Sequence, residues 1–405
     1  MPCGWMRQGW CGTFAQPAAR MAGRSWTNRQ AHAETVIIMY LIYFSPVRWF
    51  SHGQRPHEMA RYFHEVTGGR VMWIDPYPGR FPRLQDWPRP QVKDEDQGLT
   101  DWLEVFSPPS LPFDLLPFGP QIGRNFFWRD LLDRLARIGA PGGAMVIGVG
   151  KPSALALGIL RNFRKASSFF DVMDNLPAFY RGFSGRKMAS MEMQVLGQVG
   201  RVFTSSAPLF ARLKSIGAQA VLIRNGCAAN RMPPPRPPTL PGSGALGFIG
   251  TIGDWFDWEI TVKLARAIPD SCIKIVGPVH RRPPHWLPQN IALAPPCSHQ
   301  KAFTQMSSFK IGLIPFRRNQ LTETADPIKY YEYRAMGLPV LTTAFGGMAG
   351  HKSDPGLFCM TDASDFAPAV TAACSHQDTP EAVAQFRQEN SWERRFASAG
   401  LFSWL

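Results

Sequence analysis

Residues 323–343 read ETADPIKYYEYRAMGLPVLTT and hold the densest set of side chains able to do chemistry. Asp326 suits the N-cap of a helix and Pro327 its first turn. Gly337 suits the helix end, Pro339 stops any continuation, and PVLTT reads as a strand. A helix that starts there presents orphan N–H groups and the positive end of its dipole, an arrangement that favours phosphate. Lys329 and Glu332 share one face of its first turns. An ammonium group pairs with diphosphate oxygens, and a carboxylate accepts hydrogen bonds from two adjacent ribose hydroxyls. The set therefore makes a cradle for a nucleoside diphosphate. A plainer reading stays open, with Asp326 only a cap and Lys329–Glu332 a surface ion pair contributing well under ~1 kcal/mol.

The elements around this helix alternate strand and helix twice over. Residues 35–44 (TVIIMYLIYF) are about half the ~20 residues a membrane-spanning helix needs, and Pro46 and Arg48 end the run. They read as the first buried strand of a parallel sheet, where both faces are covered. A helix from near Pro56 and a strand at 71–74 follow, then an irregular stretch over 76–120 rich in proline and aromatics. Strands are expected at 144–150, 168–173, 201–206 and 220–226, with helices at 126–138, 153–163, 185–198 and 207–216. The proline-stacked segment 232–244 (MPPPRPPTLPGSG) can continue neither helix nor sheet. Beyond it strands are expected at 245–250, 273–277, 291–295, 310–315 and 339–343, with helices at 257–267, 299–307 and 327–337 and another ending the chain. The expected organisation is an extension over 1–34, an acceptor domain at 35–231, the linker 232–244, a donor domain at 245–385 and a C-terminal helix at 386–405. Such alternation defines an α/β protein with two doubly wound, Rossmann-like domains facing a cleft.

Composition narrows the function classes. A chain of 405 residues exceeds one typical core, and 45% hydrophobic with 12% aromatic residues excludes a disordered protein. A net charge of +14 points to anionic partners: nucleotide phosphates, an acidic bilayer surface or nucleic acid. No nucleic-acid motif is present, so nucleic acid is not an expected partner. The seven cysteines are scattered and lack CxxC spacing, which argues for reduced thiols, a cytoplasmic setting and no zinc site.

DPIKYYEYRAMGLPVLTT (326–343) resembles the donor-site signature of GT-B glycosyltransferases of the group 1, family 4-like type, and most closely the teichuronic-acid or polysaccharide-assembly branch. IGLIPF (311–316) stands before it, as in that branch. SPVRWFSHGQRPHEMA (45–60) resembles the branch's N-terminal loop and helix, and DVMDNLPAFYRG (171–182) its aspartate-rich segment. FTSS (203–206) with IRNG (223–226), and GFIGTIGDWFDWE (247–259), are similar to further pieces in the same order. The resemblance spans about 36–400.

It implies the GT-B fold and transfer of a sugar from a nucleotide-diphosphate sugar to a saccharide or lipid-linked acceptor hydroxyl, with no cofactor beyond the donor and no metal. Glu332 would hold the donor ribose, and Pro327 and Lys329 would line the diphosphate pocket. Gly250 and Gly253 would let backbone approach the donor. Gly277 and Pro278 would pack near the base, a tight turn being the other reading. Asp171 and Asp174 would face the sugar or acceptor as catalytic groups, or make a helix cap or turn. Gln54, Arg55 and Asn225 would reach the cleft, Arg55 having the alternative of capping a strand end. Two departures from the family pattern stand out. Relatives carry glutamates eight positions apart, whereas Thr324 stands eight before Glu332 and Glu323 is one out of register. The loop after the glycine-rich turn reads DWFDWE instead of offering an Arg and a Lys, which leaves Arg317, Arg318 and Lys329 to neutralise the diphosphate. The family leans towards retention at the anomeric carbon.

The basic stretches 161–167 (RNFRKAS) and 181–187 (RGFSGRK) suit peripheral contact with an anionic membrane from its inner face, or else form a solvated surface. A sugar-nucleotide epimerase and a catalytically degenerate nucleotide-binding module are the competing functional readings.

Overall fold

The computed structural model describes residues 38–81, 98, 100–139, 144–235, 244–360 and 366–405. The expected extension 1–34 lies outside these residues, as do 236–243 of the proline-rich segment and 82–97 of the irregular stretch.

Buried apolar runs make the centre of a seven-stranded parallel sheet. Its strands are β1 (Met39–Phe44), β2 (Arg70–Ile74), β3 (Leu103–Phe106), β4 (Ala144–Val149), β5 (Ser167–Val172), β6 (Arg201–Thr204) and β7 (Val221–Leu222), in the order β3-β2-β1-β4-β5-β6-β7. The helices between them are α1 (Arg55–Thr67), α2 (Gly119–Ile122), α3 (Arg129–Ile138), α4 (Ala154–Asn162), α5 (Gly182–Leu196) and α6 (Ala207–Ser215). A π-helical turn, Gly123–Phe127, joins α2 to α3.

A second, six-stranded parallel sheet follows, ordered β10-β9-β8-β11-β12-β13. Its strands are β8 (Ala245–Ile249), β9 (Ile273–Val276), β10 (Ile291–Ala294), β11 (Phe309–Ile314), β12 (Val340–Thr343) and β13 (Leu357–Met360). The later helices are α7 (Trp258–Ala267), α8 (His299–Ser307), α9 (Ile328–Ala335), α10 (Gly346–Ala349), α11 (Ala367–Ser375), α12 (Pro380–Glu389) and α13 (Trp392–Ser398). The expected single helix over 386–405 is two, broken at Asn390, and the chain ends in turns.

In each sheet the order reverses once, between β1 and β4 and between β8 and β11. The crevice beyond the carboxyl ends at such a reversal is where open α/β sheets take ligands. Several bonds tie the two halves together. Asn225 donates from its backbone N to Asp326 Oδ2 at 2.8 Å and from its side chain to the Asp326 carbonyl. Ser206 Oγ donates to the Thr324 carbonyl at 2.6 Å. The tail then returns to the first half, where Trp392, Phe396, Leu401 and Phe402 join the core that contains Phe63, Trp73 and Phe169. No described helix is long and apolar enough to cross a membrane.

Candidate functional site

One cavity of about 570 Å³ opens between the two reversal points. From the first half it is lined by Gln54, Arg55, Lys151, Asp174, Tyr180 and Asn225, among others. From the second half come Gly250, Trp255, Gly277, Pro278, His299, Asp326, Pro327, Lys329 and Glu332.

Helix α9 is positioned by its tyrosines. Tyr333 packs on Gly312 of β11, where an added Cβ would meet the ring at 2.4 Å, and its hydroxyl accepts from Ile249 N at 3.0 Å. That bond ties α9 to the end of β8, where Gly250 follows. Gly250 (φ 151°) and Gly277 (φ 141°) face each other across this point, and a Cβ on Gly277 would lie 2.1 Å from the Gly250 carbonyl oxygen. Only glycine permits so close an approach with such backbone angles.

Glu332 is buried, and both of its oxygens are engaged: Lys329 Nζ pairs with Oε2, and His299 Nε2 lies 3.2 Å from Oε1. Burial opposes its ionisation, yet Lys329 and His299 outweigh burial and hold its pKa down to about 2. A carboxylate so held is always charged and keeps lone pairs for further hydrogen bonds. His299, at the start of α8, belongs to this cluster, although nothing around it in the sequence marks it.

Asp326 is not the cap of α9. Pro327 occupies the cap position, and the Asp326 carboxylate turns instead to Asn225 N and to the Tyr331 hydroxyl, 3.0 Å from Oδ2. Its work is to join the halves at the cavity floor.

On the opposite wall, Arg55 and Asp171 form a fully buried pair, with Nε–Oδ2 at 2.9 Å and Nη2–Oδ1 at 2.8 Å. Arg55 Nη1 also donates to the Ile223 carbonyl at 2.6 Å, so it caps a strand end as well as reaching the cavity. Asp171 is 0% exposed and does not line the cavity, because Arg55 takes both its oxygens. Asp174 does line it. Burial, reinforced by the charge of Asp171, pushes Asp174 up to about 7 against the pull of Arg55. His57 fixes the entry to α1. Its Nδ1 accepts from Gln54 N at 3.2 Å, which leaves Nε2 to donate to the Trp49 carbonyl at 2.9 Å.

Three other expected residues lie away from the lining. Gly253 makes room for the Trp255 ring, which a Cβ would meet at 2.6 Å, and Trp255 is the residue at the cavity. Arg317 donates its backbone N–H to the Trp255 carbonyl at 2.7 Å, and the exposed Arg318 pairs with Glu323 at 3.1 Å. Neither cation faces the cavity, and Glu323 is turned to Arg318. Lys329 and Lys151 are the cationic side chains there besides Arg55, and Lys151 was not expected.

No protein-family model matches the chain, and no curated protein matches it. Solved structures do. Anabaena HepE, determined in complex with UDP and glucose, superposes with a TM-score of 0.58 at 13% identity over 90% of this chain and 100% of its own. A glycosyltransferase from Rickettsia africae gives 0.57 at 11% identity over 90% and 97% of the two chains. AviGT4, a glycosyltransferase involved in avilamycin A biosynthesis, gives 0.51 at 12% identity over 89% and 95%. The chain therefore has the GT-B fold, two Rossmann-like domains around a cleft.

Proposed function

We propose that the chain is a glycosyltransferase that moves a sugar from a nucleoside-diphosphate sugar to an acceptor hydroxyl. One observation carries this reading. Glu332, ionised and held by Lys329 and His299, stands in the second turn of α9 and lines the same cavity as Gly250 and Gly277, between the two sheet reversals. In that place Glu332 accepts from the donor ribose, and Lys329 with the orphan N–H groups of α9 meets the diphosphate. As the bond between sugar C1 and the phosphate oxygen breaks, charge grows on the leaving diphosphate, and these preorganised groups stabilise it. Asp174, across the cavity, takes the proton of the attacking hydroxyl. Gly277, Pro278 and Trp255 receive the base. The groups need no metal, and the family resemblance carries retention at C1.

The test is a panel of UDP-, GDP-, dTDP- and ADP-sugars, read by thermal shift and nucleotide release with and without EDTA. Release with one donor, insensitive to EDTA and lost in Glu332→Gln, supports the reading. A thermal shift without turnover would favour a degenerate binding module, the reading that Thr324 and the outward turn of Glu323 support. No shift with any donor in folded protein sinks the donor site.

We also propose that the acceptor belongs to envelope or polysaccharide assembly and that the first half rests on an anionic membrane. Phe118 and Phe126 are each 76% exposed and Phe183 is 61% exposed, among Arg124, Arg129, Arg181, Arg186 and Lys187. Exposed aromatics interleaved with cations are the chemistry of a bilayer interface.

A further inference from the structure

The first-half wall of the cavity carries a cation that donor binding leaves unused. Lys151 lies two residues beyond β4, after Gly150, at the reversal point of the first sheet. Backbone N–H groups of Gly150 and Lys151 both donate to the Phe44 carbonyl, at 2.8 and 3.1 Å, so the residue is pinned where β1 and β4 end. Its Nζ donates to the Tyr77 carbonyl at 2.6 Å and lies 5.9 Å from the centre of the Tyr77 ring.

That carbonyl is a neutral partner. Among the described residues no carboxylate forms an ion pair with Lys151. Asp114 acts on it only through space, and Asp114 Oδ1 already accepts from Tyr77 Oη at 2.8 Å and Ala154 N at 2.9 Å. An ammonium has three N–H donors, and the structure gives one of them a protein acceptor. A cation with open donors inside a cavity is stabilised by an arriving anion. Burial also pulls its pKa down to about 8, against the opposing pull of Asp114, which leaves it mostly charged at neutral pH.

The position matters as much as the charge. Lys151 shares its wall with Asp174, Phe179 and Tyr180, whereas Glu332 and Lys329 belong to the other half. Resting on the transferase reading, we infer that Lys151 anchors an anionic group on the acceptor, a phosphate or a carboxylate carried near the hydroxyl that is glycosylated. Phe179 and Tyr180 then offer apolar surface to the acceptor ring, and Asp174 is left for its hydroxyl. The acceptor class that fits is a glycosyl phosphate or a uronic acid, not a neutral sugar.

The experiment uses the full chain saturated with whichever nucleoside diphosphate stabilises it. Methyl glucoside, methyl glucuronide and glucose 1-phosphate are titrated in by calorimetry, with Lys151→Met and Lys151→Arg beside the wild type and near-UV circular dichroism to confirm folding. At least one anionic probe is expected to bind about tenfold or more tightly than methyl glucoside, and the glucuronide and phosphate arms tell the two sources apart. Lys151→Met should erase that preference, Lys151→Arg should keep most of it, and nucleotide affinity should stay within about twofold in both. Equal binding of neutral and anionic probes, or no binding of any anionic probe to nucleotide-loaded protein, overturns the inference. So does an equal loss of nucleotide affinity in Lys151→Met, which would make Lys151 a donor residue. Failure of every nucleotide to bind wild type is a different result, because it removes the donor reading on which this one rests.

Discussion

Asp171 near the end of β5 and Asp174 on the loop that follows stand three apart and have opposite fates. Asp171 is locked to Arg55, 116 positions away, with both partners buried. Asp171→Asn leaves the guanidinium without a counter-charge, a loss of about 3–5 kcal/mol for a broken buried pair. Urea unfolding should show a clearly lower midpoint, and an unchanged midpoint would mean the pair is dispensable. Asp174 behaves differently. Its folded pKa, raised to about 7, lies above the carboxylate range of an unfolded chain. The native state therefore holds the extra proton between about pH 4 and 7, and stability falls as pH rises through that window. Asp171 and Arg55 are the charges that act on it, and Asp174→Asn should remove this dependence while leaving the fold as stable at pH 8 or more so. Turnover of wild type should rise through about pH 7 as the base ionises, and Asp174→Asn should lose roughly 10²–10⁴ of it. A flat pH–rate profile, or a variant with full kcat, would remove Asp174 from the chemistry. The sequence left these two aspartates undistinguished because the partner that separates them is remote. Lys329 and Glu332 were legible because helical spacing alone puts them on one face. His299 and Lys151 were not, since neither has a periodic spacing that relates it to the other cavity residues, and only packing brings each to the cavity.

At the scale of elements, the strands that read as uninterrupted apolar runs, such as β1, β4, β8 and β11, are those in the sheet interiors. What stayed illegible lies at the edges. β3 is a four-residue edge strand inside the stretch that lacks a period, and β13 is another of four at the opposite edge of the second sheet. Edge strands need little apolar sequence, so they leave a weak signal. β7 was expected over 220–226 but pairs for only two residues, because the chain then turns to place Asn225 against Asp326. The expected cap on α9 failed for a related reason: Asp326 has a stronger claim on it from the Tyr331 hydroxyl and the Asn225 amide. The same packing makes a prediction about β8 and β9. A methyl group on Gly277 would sit 2.1 Å from the Gly250 carbonyl oxygen, at a backbone angle that disfavours alanine. Gly277→Ala should therefore push the two strand ends apart and abolish the thermal shift with the donor nucleotide. Gly217 also has a positive φ but no atom near its would-be Cβ, so Gly217→Ala controls for backbone strain alone. If both variants keep the nucleotide shift, the close approach is not part of the donor site.

At the scale of the whole molecule, charge and exposed aromatics fall in one region of the first half. Arg124 follows Phe118 through the α2 segment and reaches α4, where a Cβ on Gly158 would meet its guanidinium at 3.8 Å. Helices α4 and α5 pack together, and Lys187 on α5 acts electrostatically on Asp114, close in sequence to Phe118. Phe118, Phe126 and Phe183 thus project from neighbouring segments, and Phe179, 45% exposed, extends the set to the cavity lining. A bilayer reached this way would present a membrane-borne acceptor at the wall that holds Lys151 and Asp174. Such contact has two separable parts: electrostatic attraction that acts over about 8–10 Å and weakens with salt, and apolar insertion that does not. Co-sedimentation with vesicles should show binding to phosphatidylglycerol-containing membranes and little to pure phosphatidylcholine. Raising the salt, or Arg186→Gln with Lys187→Gln, should weaken it, and Phe118→Ser with Phe126→Ser should weaken it further at any salt. Nucleotide binding should be untouched by all four substitutions, because none of these residues lines the cavity. Equal binding to neutral and anionic vesicles would deny the cations a role, and no binding to either would leave the aromatic surface to a protein partner.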